Sequence, residues 1–230
     1  STLLPNEQTN TVGFFIQDDW RIHPKFTLQA GFRTDIHSVY GTFVLPRISM
    51  MYKPSNSITM RLGGGLGYKT PTLINSDLDE REYRFITGYQ VGIRAEKSVG
   101  LNFDINYKKK IEEWEITFNN TLFYNQVSKP ISLYYNFTTG FLPITSTYYN
   151  ENKALQTTGF ETYLAAKQDE LELYLGYVYT NALRKYNTTN THLPLIAKHK
   201  LATVVAYELS EKWRAGIDAA YTGNQYLDDG

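Results

Sequence analysis

From Lys25 to Tyr40 the chain alternates. One set of positions reads Phe26, Leu28, Ala30, Phe32, Thr34, Ile36, Ser38 and Tyr40; the other reads Lys25, Thr27, Gln29, Gly31, Arg33, Asp35 and His37. Successive side chains of a β-strand point to opposite faces, so this reads as one strand with an apolar face and a charged face. The pattern holds for about 16 residues, against a usual ~5–6 in globular proteins. It starts from a tight His23-Pro24-Lys25 turn flanked by Trp20 and Phe26. Long alternating strands, short turns and aromatics beside the turns are what a β-wall between lipid and water requires.

The same grammar recurs along the chain. Alternation is read at 11–22, 25–40, 43–53, 58–69, 97–109, 114 to about 135, 153–167, 171–183, 195–207 and from Trp213 onward, which makes about ten strands. In segment 43–53 Pro46 predicts a strand start rather than a strand centre. Tight connections fall at 23–25, 53–57, 108–113, 168–170 and 208–212, and mostly longer ones at 41–44, 70–95, 136–151 and 184–193. Short and long connections therefore alternate, which puts all turns at one end of the sheet and all loops at the other. All three tryptophans, Trp20, Trp114 and Trp213, lie within a few residues of a tight turn, where an interfacial girdle would sit. The fold class expected is all-β: a transmembrane antiparallel β-barrel with short periplasmic turns and long extracellular loops. A soluble antiparallel sandwich also alternates, but its strands are shorter.

Composition supports the wall and removes other classes. No run approaches the ~20 apolar residues of a membrane helix, and the mean hydropathy is −0.40. A β-barrel tolerates this, because lipid-facing residues are diluted one-to-one with interior ones. The 23 basic and 23 acidic residues balance, so no charge excess points to nucleic acid. Cys is absent, which excludes thiolate metal sites and Cys nucleophiles. The first residues, STLLPNEQTN, lack an apolar core, and the last, from Gln225 to Gly230, stop without a closing strand. The chain is expected to be a piece of a larger protein.

Several stretches carry a resemblance: GFFIQDDWRIHPKFTLQAGFRTD at 13–35, LPRISMMYKP at 45–54, GLGYKTPT at 65–72, AEKSVGLNFDINYK at 95–108, GFETYLAAK at 159–167, LGYVYTNA at 175–182, LPLIAKHKL at 193–201 and YTGNQY at 221–226. In this order they resemble the TonB-dependent outer-membrane receptors, in the form common in Bacteroidetes. The resemblance implies that residues 1–230 supply about ten central-to-late strands of a roughly 22-stranded barrel, with the plug domain, the early strands and the final strands lying elsewhere. It implies outer-membrane lipid as surroundings, the TonB complex as partner through the missing N-terminal plug, a surface lipoprotein as a further partner, and no nucleic acid. It also implies active uptake of a scarce, bulky nutrient, with a corrinoid or ferric siderophore ahead of an oligosaccharide or peptide. A passive pore or adhesive barrel without a plug is the competing reading.

Chemistry-bearing residues sort by position. Arg33, Asp35, His37, Arg61, Asp104 and Asp218 occupy polar-face positions and are expected to face the lumen, where charge needs water or a polar plug. Aromatic, amide and basic residues in the long connections are the ligand-binding candidates: Arg81, Tyr83, Arg84, Phe85 and Tyr89 in 70–95, and Phe137, Phe141, Tyr148, Tyr149 and Asn150 in 136–151. The glycines Gly63, Gly64, Gly65 and Gly67 lie inside a strand with no following helix, so a phosphate loop does not fit. His23, His37, His192 and His199 lack metal-ligand spacing. His37 and Ser38 point to opposite faces and make no catalytic pair. No enzyme, metal or cofactor is expected.

Overall fold

The computed structural model describes residues 8–73, 85–136, 145–189, 191–210 and 212–227. Ten strands form one antiparallel meander: β1 (Thr11–His23), β2 (Phe26–His37), β3 (Gly41–Tyr52), β4 (Ile58–Lys69), β6 (Glu96–Ile111), β7 (Trp114–Ser128), β10 (Leu155–Gln168), β11 (Leu171–Arg184), β12 (His199–Ser210) and β13 (Trp213–Thr222). Three shorter strands, β5 (Ile86–Tyr89), β8 (Ile131–Asn136) and β9 (Thr145–Asn150), form a second sheet in the order β5-β9-β8. The long strands, the up-and-down order and the two-ended arrangement of turns and loops agree with the sequence reading.

The pairing keeps the two faces separate across the whole wall. One row of cross-strand neighbours runs Trp20, Leu28, Met50, Leu62, Phe103, Leu122, Phe160, Tyr179, His199. The adjacent row runs Asp19, Gln29, Ser49, Gly63, Asn102, Phe123, Gly159, Thr180. A register slip of one residue anywhere would exchange the faces, and none occurs between these rows. The first row also starts beside a tight turn, at Trp20, and ends at the loop-side start of β12, at His199. The strands are thus staggered, as barrel walls require.

The apolar face is left uncovered: Trp20 is 50 % exposed, Leu62 46 % and Leu122 48 %. A sandwich would bury this face against a second sheet; here it forms a continuous apolar band wider than soluble monomers expose. Trp20, Trp114 and Trp213 all sit on this face at the tight-turn end. Among the described residues, the cluster of buried apolar side chains lies elsewhere, in the small sheet, around Leu73, Ile86 and Tyr148.

Four expectations change. The run from Trp114 to about Tyr135 is two strands: β7 ends at Ser128, Lys129 takes a positive φ of 55°, and after buried Pro130 the chain starts β8. The connections 70–95 and 136–151 are not simply loops, since they contain β5 and β9. β2 ends at His37 and β3 begins at Gly41, so this loop-end connection is only Ser38-Val39-Tyr40 and strand 43–53 starts earlier than its alternation suggested. Pro46 sits mid-strand.

Pro46 is tolerated because its loss falls on the β4 side alone, while β3 stays paired to β2 along its whole length. Lys53 N donates to Lys25 O, so odd-numbered residues of β3 turn their backbone groups toward β2 and even-numbered ones toward β4. The register opposes Arg47 to Gly65, which makes Pro46 and Leu66 the next rung. Proline has no N–H to offer it. The β3–β4 ladder covers only Arg47–Tyr52, while β4 pairs with β6 along its whole length to Lys69. Above Arg47 a seam opens between β3 and β4.

Candidate functional site

The loop end of the wall carries a built platform. β5, from the first long connection, pairs in parallel with β9 from the second, and β8 pairs antiparallel with β9. Its inner face packs Leu73, Ile86 and Tyr148, with Tyr89, Ile93, Ile131 and Leu133 against them. Tyr148 is buried, and its hydroxyl donates to Leu73 O over 3.4 Å. Asn150 acts as a clamp: its Oδ1 accepts from Arg94 N (2.7 Å), and its Nδ2 donates to the carbonyls of Arg94 and Lys129 (both 2.9 Å). Glu96 Oε1 accepts from Ile131 N (2.7 Å) and ties the platform to the wall.

The opposite face of the platform is open. Gln90, Tyr134, Thr147 and Tyr149 line a cleft of about 340 Å³, and Tyr134 is 62 % exposed. Tyr149 donates to Glu151 Oε1 (2.7 Å). Burial first, and then this bond to the carboxylate, push its phenol up to about 12, so it stays a neutral donor at physiological pH.

A second hollow, of about 480 Å³, lies on the polar face of the wall and is lined by Asp19, Arg21, Thr27, Gln29, Arg47, Ser49, Met51 and Arg61. Three guanidinium groups share it with one carboxylate. Nearer the loop end, Arg33 Nε donates to Asp35 Oδ1 (2.8 Å) and Tyr68 Oη to Asp35 Oδ2 (2.9 Å). Alternation puts Tyr68 with Leu62 and Leu66 on the apolar face. In the structure its ring passes through the seam and stacks on Phe43, with centroids 3.7 Å apart and planes 8° from parallel.

The sequence candidates are distributed unevenly over these features. Tyr149 lines the open cleft. Tyr148 and Tyr89 pack the platform core and Asn150 clamps its edges, so these three support the site instead of facing open space. Phe85 immediately precedes β5. Arg81, Tyr83, Arg84, Phe137 and Phe141 lie outside the described residues. On the polar face, Arg33, Asp35 and His37 share one side of β2, as read. His37 is buried, and its Nδ1 accepts from Val39 N (3.1 Å) and Tyr40 N (3.3 Å), which makes it the cap of the β2–β3 turn. Arg61 lines the polar hollow, with Asp104 its cross-strand neighbour. Asp218 lies apart, on edge strand β13 opposite Val204. Sequence reading missed Arg21 and Arg47, although both occupy polar-face positions. Only the cross-strand register shows that they meet Arg61. It also missed Gln90, Tyr134 and Thr147.

The profile of the family described as TonB dependent receptor-like, beta-barrel, matches residues 1–230. The chain belongs to that family. Solved structures share the fold. A variant of the ferric enterobactin receptor PfeA from Pseudomonas aeruginosa is 19 % identical with a TM-score of 0.73, over 94 % of this chain and 33 % of that one. The siderophore receptor PirA from Acinetobacter baumannii is 17 % identical with a TM-score of 0.74, over 94 % and 34 %. The FrpB iron transporter from Neisseria meningitidis is 14 % identical with a TM-score of 0.69, over 93 % and 33 %. This TonB-dependent receptor chain thus spans about a third of the solved receptors it matches. No curated protein matches it.

Proposed function

We propose that this chain is the wall and part of the rim of an outer-membrane receptor that takes up a bulky anionic nutrient, with a ferric siderophore ahead of a corrinoid. The observation that carries the reading is the polar hollow, where Arg21, Arg47 and Arg61 outnumber the lining carboxylate Asp19 and stay in excess with Asp104 opposite Arg61. Such an excess of fixed cations in a confined polar site raises the local concentration of an anion and holds it by charge-assisted hydrogen bonds. The platform above adds tyrosine faces and phenol donors, suited to an aromatic chelate. That the neighbours in fold are named as siderophore receptors and an iron transporter supports the same ligand class.

In this reading the polar face is the lumen, the tight-turn end is periplasmic and the platform is extracellular. Ligand meets Tyr134 and Tyr149 first and the arginines after it. A plug domain outside this chain closes the lumen and contacts the TonB complex, which supplies the energy for release. A surface lipoprotein cap is compatible with the open platform face. The wall itself does no bond chemistry.

The test is uptake of a labelled ferric siderophore by cells carrying the full receptor. Arg47→Gln with Arg61→Gln is expected to weaken binding by about a hundredfold or more, since each lost charge-assisted bond contributes roughly 1.5–3 kcal/mol. Tyr149→Phe is expected to weaken it less. Uptake that survives collapse of the proton-motive force would refute active transport and favour a passive pore. Unchanged binding in the double arginine variant would refute the anionic ligand.

A further inference from the structure

The seam between β3 and β4 lies apart from both the polar hollow and the platform cleft. Its lower part is a cleft of about 360 Å³ lined by Phe43, Val44, Leu66, Tyr68 and Val99 among others. Val44 is 51 % exposed and Leu66 49 %, both on the apolar face. The stacked Phe43 and Tyr68 rings close the cleft toward the polar face. An adjoining cleft of about 430 Å³ shares Thr42, Phe43, Lys97 and Ser128 with it and adds Arg94 and Lys129. Lys97 alternates with Val99 and Leu101, so its charge stands directly above apolar-face side chains. Asn150 holds the backbones of Arg94 and Lys129 through three hydrogen bonds. All three cations are exposed, and among the described residues no carboxylate pairs with them.

We propose that this cleft binds an anionic, phosphate-bearing lipid of the surrounding leaflet, its phosphate against Arg94, Lys97 and Lys129 and one acyl chain in the seam. Charge and hydrophobicity are split in the order a lipid presents them, with the cations at the loop end and the apolar cleft below. A free phosphate ion would have no use for the apolar half. The seam opens on the same face as the exposed apolar band, so a lipid reaches it without entering the polar side of the wall.

The test uses the full-length receptor in detergent, with native mass spectrometry counting retained lipid. The probes are phosphatidylglycerol and phosphatidylcholine of identical chains. Preferential retention of phosphatidylglycerol is expected. The triple variant Arg94→Gln, Lys97→Gln, Lys129→Gln is expected to lower that retention by about a hundredfold, at about fivefold per basic residue. Val44→Trp fills the half-exposed apolar side without touching the charges, and is expected to reduce retention of both lipids. Equal retention of the two lipids overturns the proposal. So does undiminished phosphatidylglycerol in the triple variant or in Val44→Trp. Displacement of the lipid by millimolar inorganic phosphate alone would reduce the site to an anion site, and that too overturns it.

Discussion

Tyr68 and Asp35 offer the sharpest test of the seam. Asp35 is 2 % exposed and accepts two hydrogen bonds, from Arg33 Nε at 2.8 Å and Tyr68 Oη at 2.9 Å. Tyr68→Phe removes one of them while keeping the ring stacked on Phe43, so packing is unchanged and the hydroxyl alone is tested. A hydrogen bond to a charged group contributes about 1.5–3 kcal/mol, and a buried acceptor left short bears most of that loss. Asp35→Asn keeps the shape but removes the charge. The Arg33 pair adds little to its cost, because that side chain is 56 % exposed and exposed pairs contribute about 0–1 kcal/mol. The expected single costs are therefore each about 2 kcal/mol, with the double variant close to Asp35→Asn alone. The resulting coupling energy is about 2 kcal/mol, which a double-mutant cycle resolves. The assay is the urea midpoint of the full-length receptor in detergent micelles. A coupling below about 0.5 kcal/mol, within ordinary additivity, would show that water or another donor serves Asp35 and that Tyr68 does not latch the seam.

Two further substitutions test the platform and the wall. Asn150→Asp replaces the two donated bonds to the Arg94 and Lys129 carbonyls with a carboxylate facing them. It is expected to cost the platform about 2 kcal/mol, read as faster amide hydrogen exchange over 86–95, 129–136 and 145–150 with the long strands unchanged; equal exchange would refute the clamp. Gly159→Val puts side-chain atoms where Tyr179 O and the Phe123 ring already lie, the latter 2.6 Å from a Cβ. The backbone oxygen cannot move aside, so a loss of about 1–3 kcal/mol is expected in the same urea assay, and wild-type stability would refute the close packing.

The wall was legible because its signal is local and redundant. Each strand shows both faces over 10–16 residues, and the cross-strand rows only confirm what alternation within each strand already separated. The platform was not legible, for the opposite reason. β5 has 4 residues and β9 has 6, too few to display a period, and they pair across about 60 residues of intervening chain. Tyr148, Tyr149 and Asn150 were singled out together as rim residues, yet one is core, one lines a cleft and one is a clamp. Composition identifies residues fit for a rim; only the pairing of β5 with β9 decides which of them is exposed. The polar face behaved in the same way. Arg61 was visible as a charged position on one strand, whereas its grouping with Arg21 and Arg47 depends on register.

Pro46 shows how a local rule can be right about energetics and wrong about place. Proline does remove a ladder donor, and the sequence rule spares that loss by putting it at a strand start. In this wall the loss is accepted at mid-strand because β2 still holds the other side of β3, through pairs from Phe26–Tyr52 to His37–Gly41. The consequences follow in order. With the Pro46–Leu66 rung missing, the ladder ends at Arg47, and the strands part above it. Tyr68, due on the apolar face, is then free to turn through the gap to Phe43 and Asp35. Val44, Leu66 and Val99, which alternation had aimed at lipid, are among the residues left lining the gap. Arg47, one residue on, is the first rung kept and a wall of the polar hollow. The Leu45-Pro46-Arg47 segment therefore divides the wall into a paired half lined by arginines and a parted half open to the apolar side.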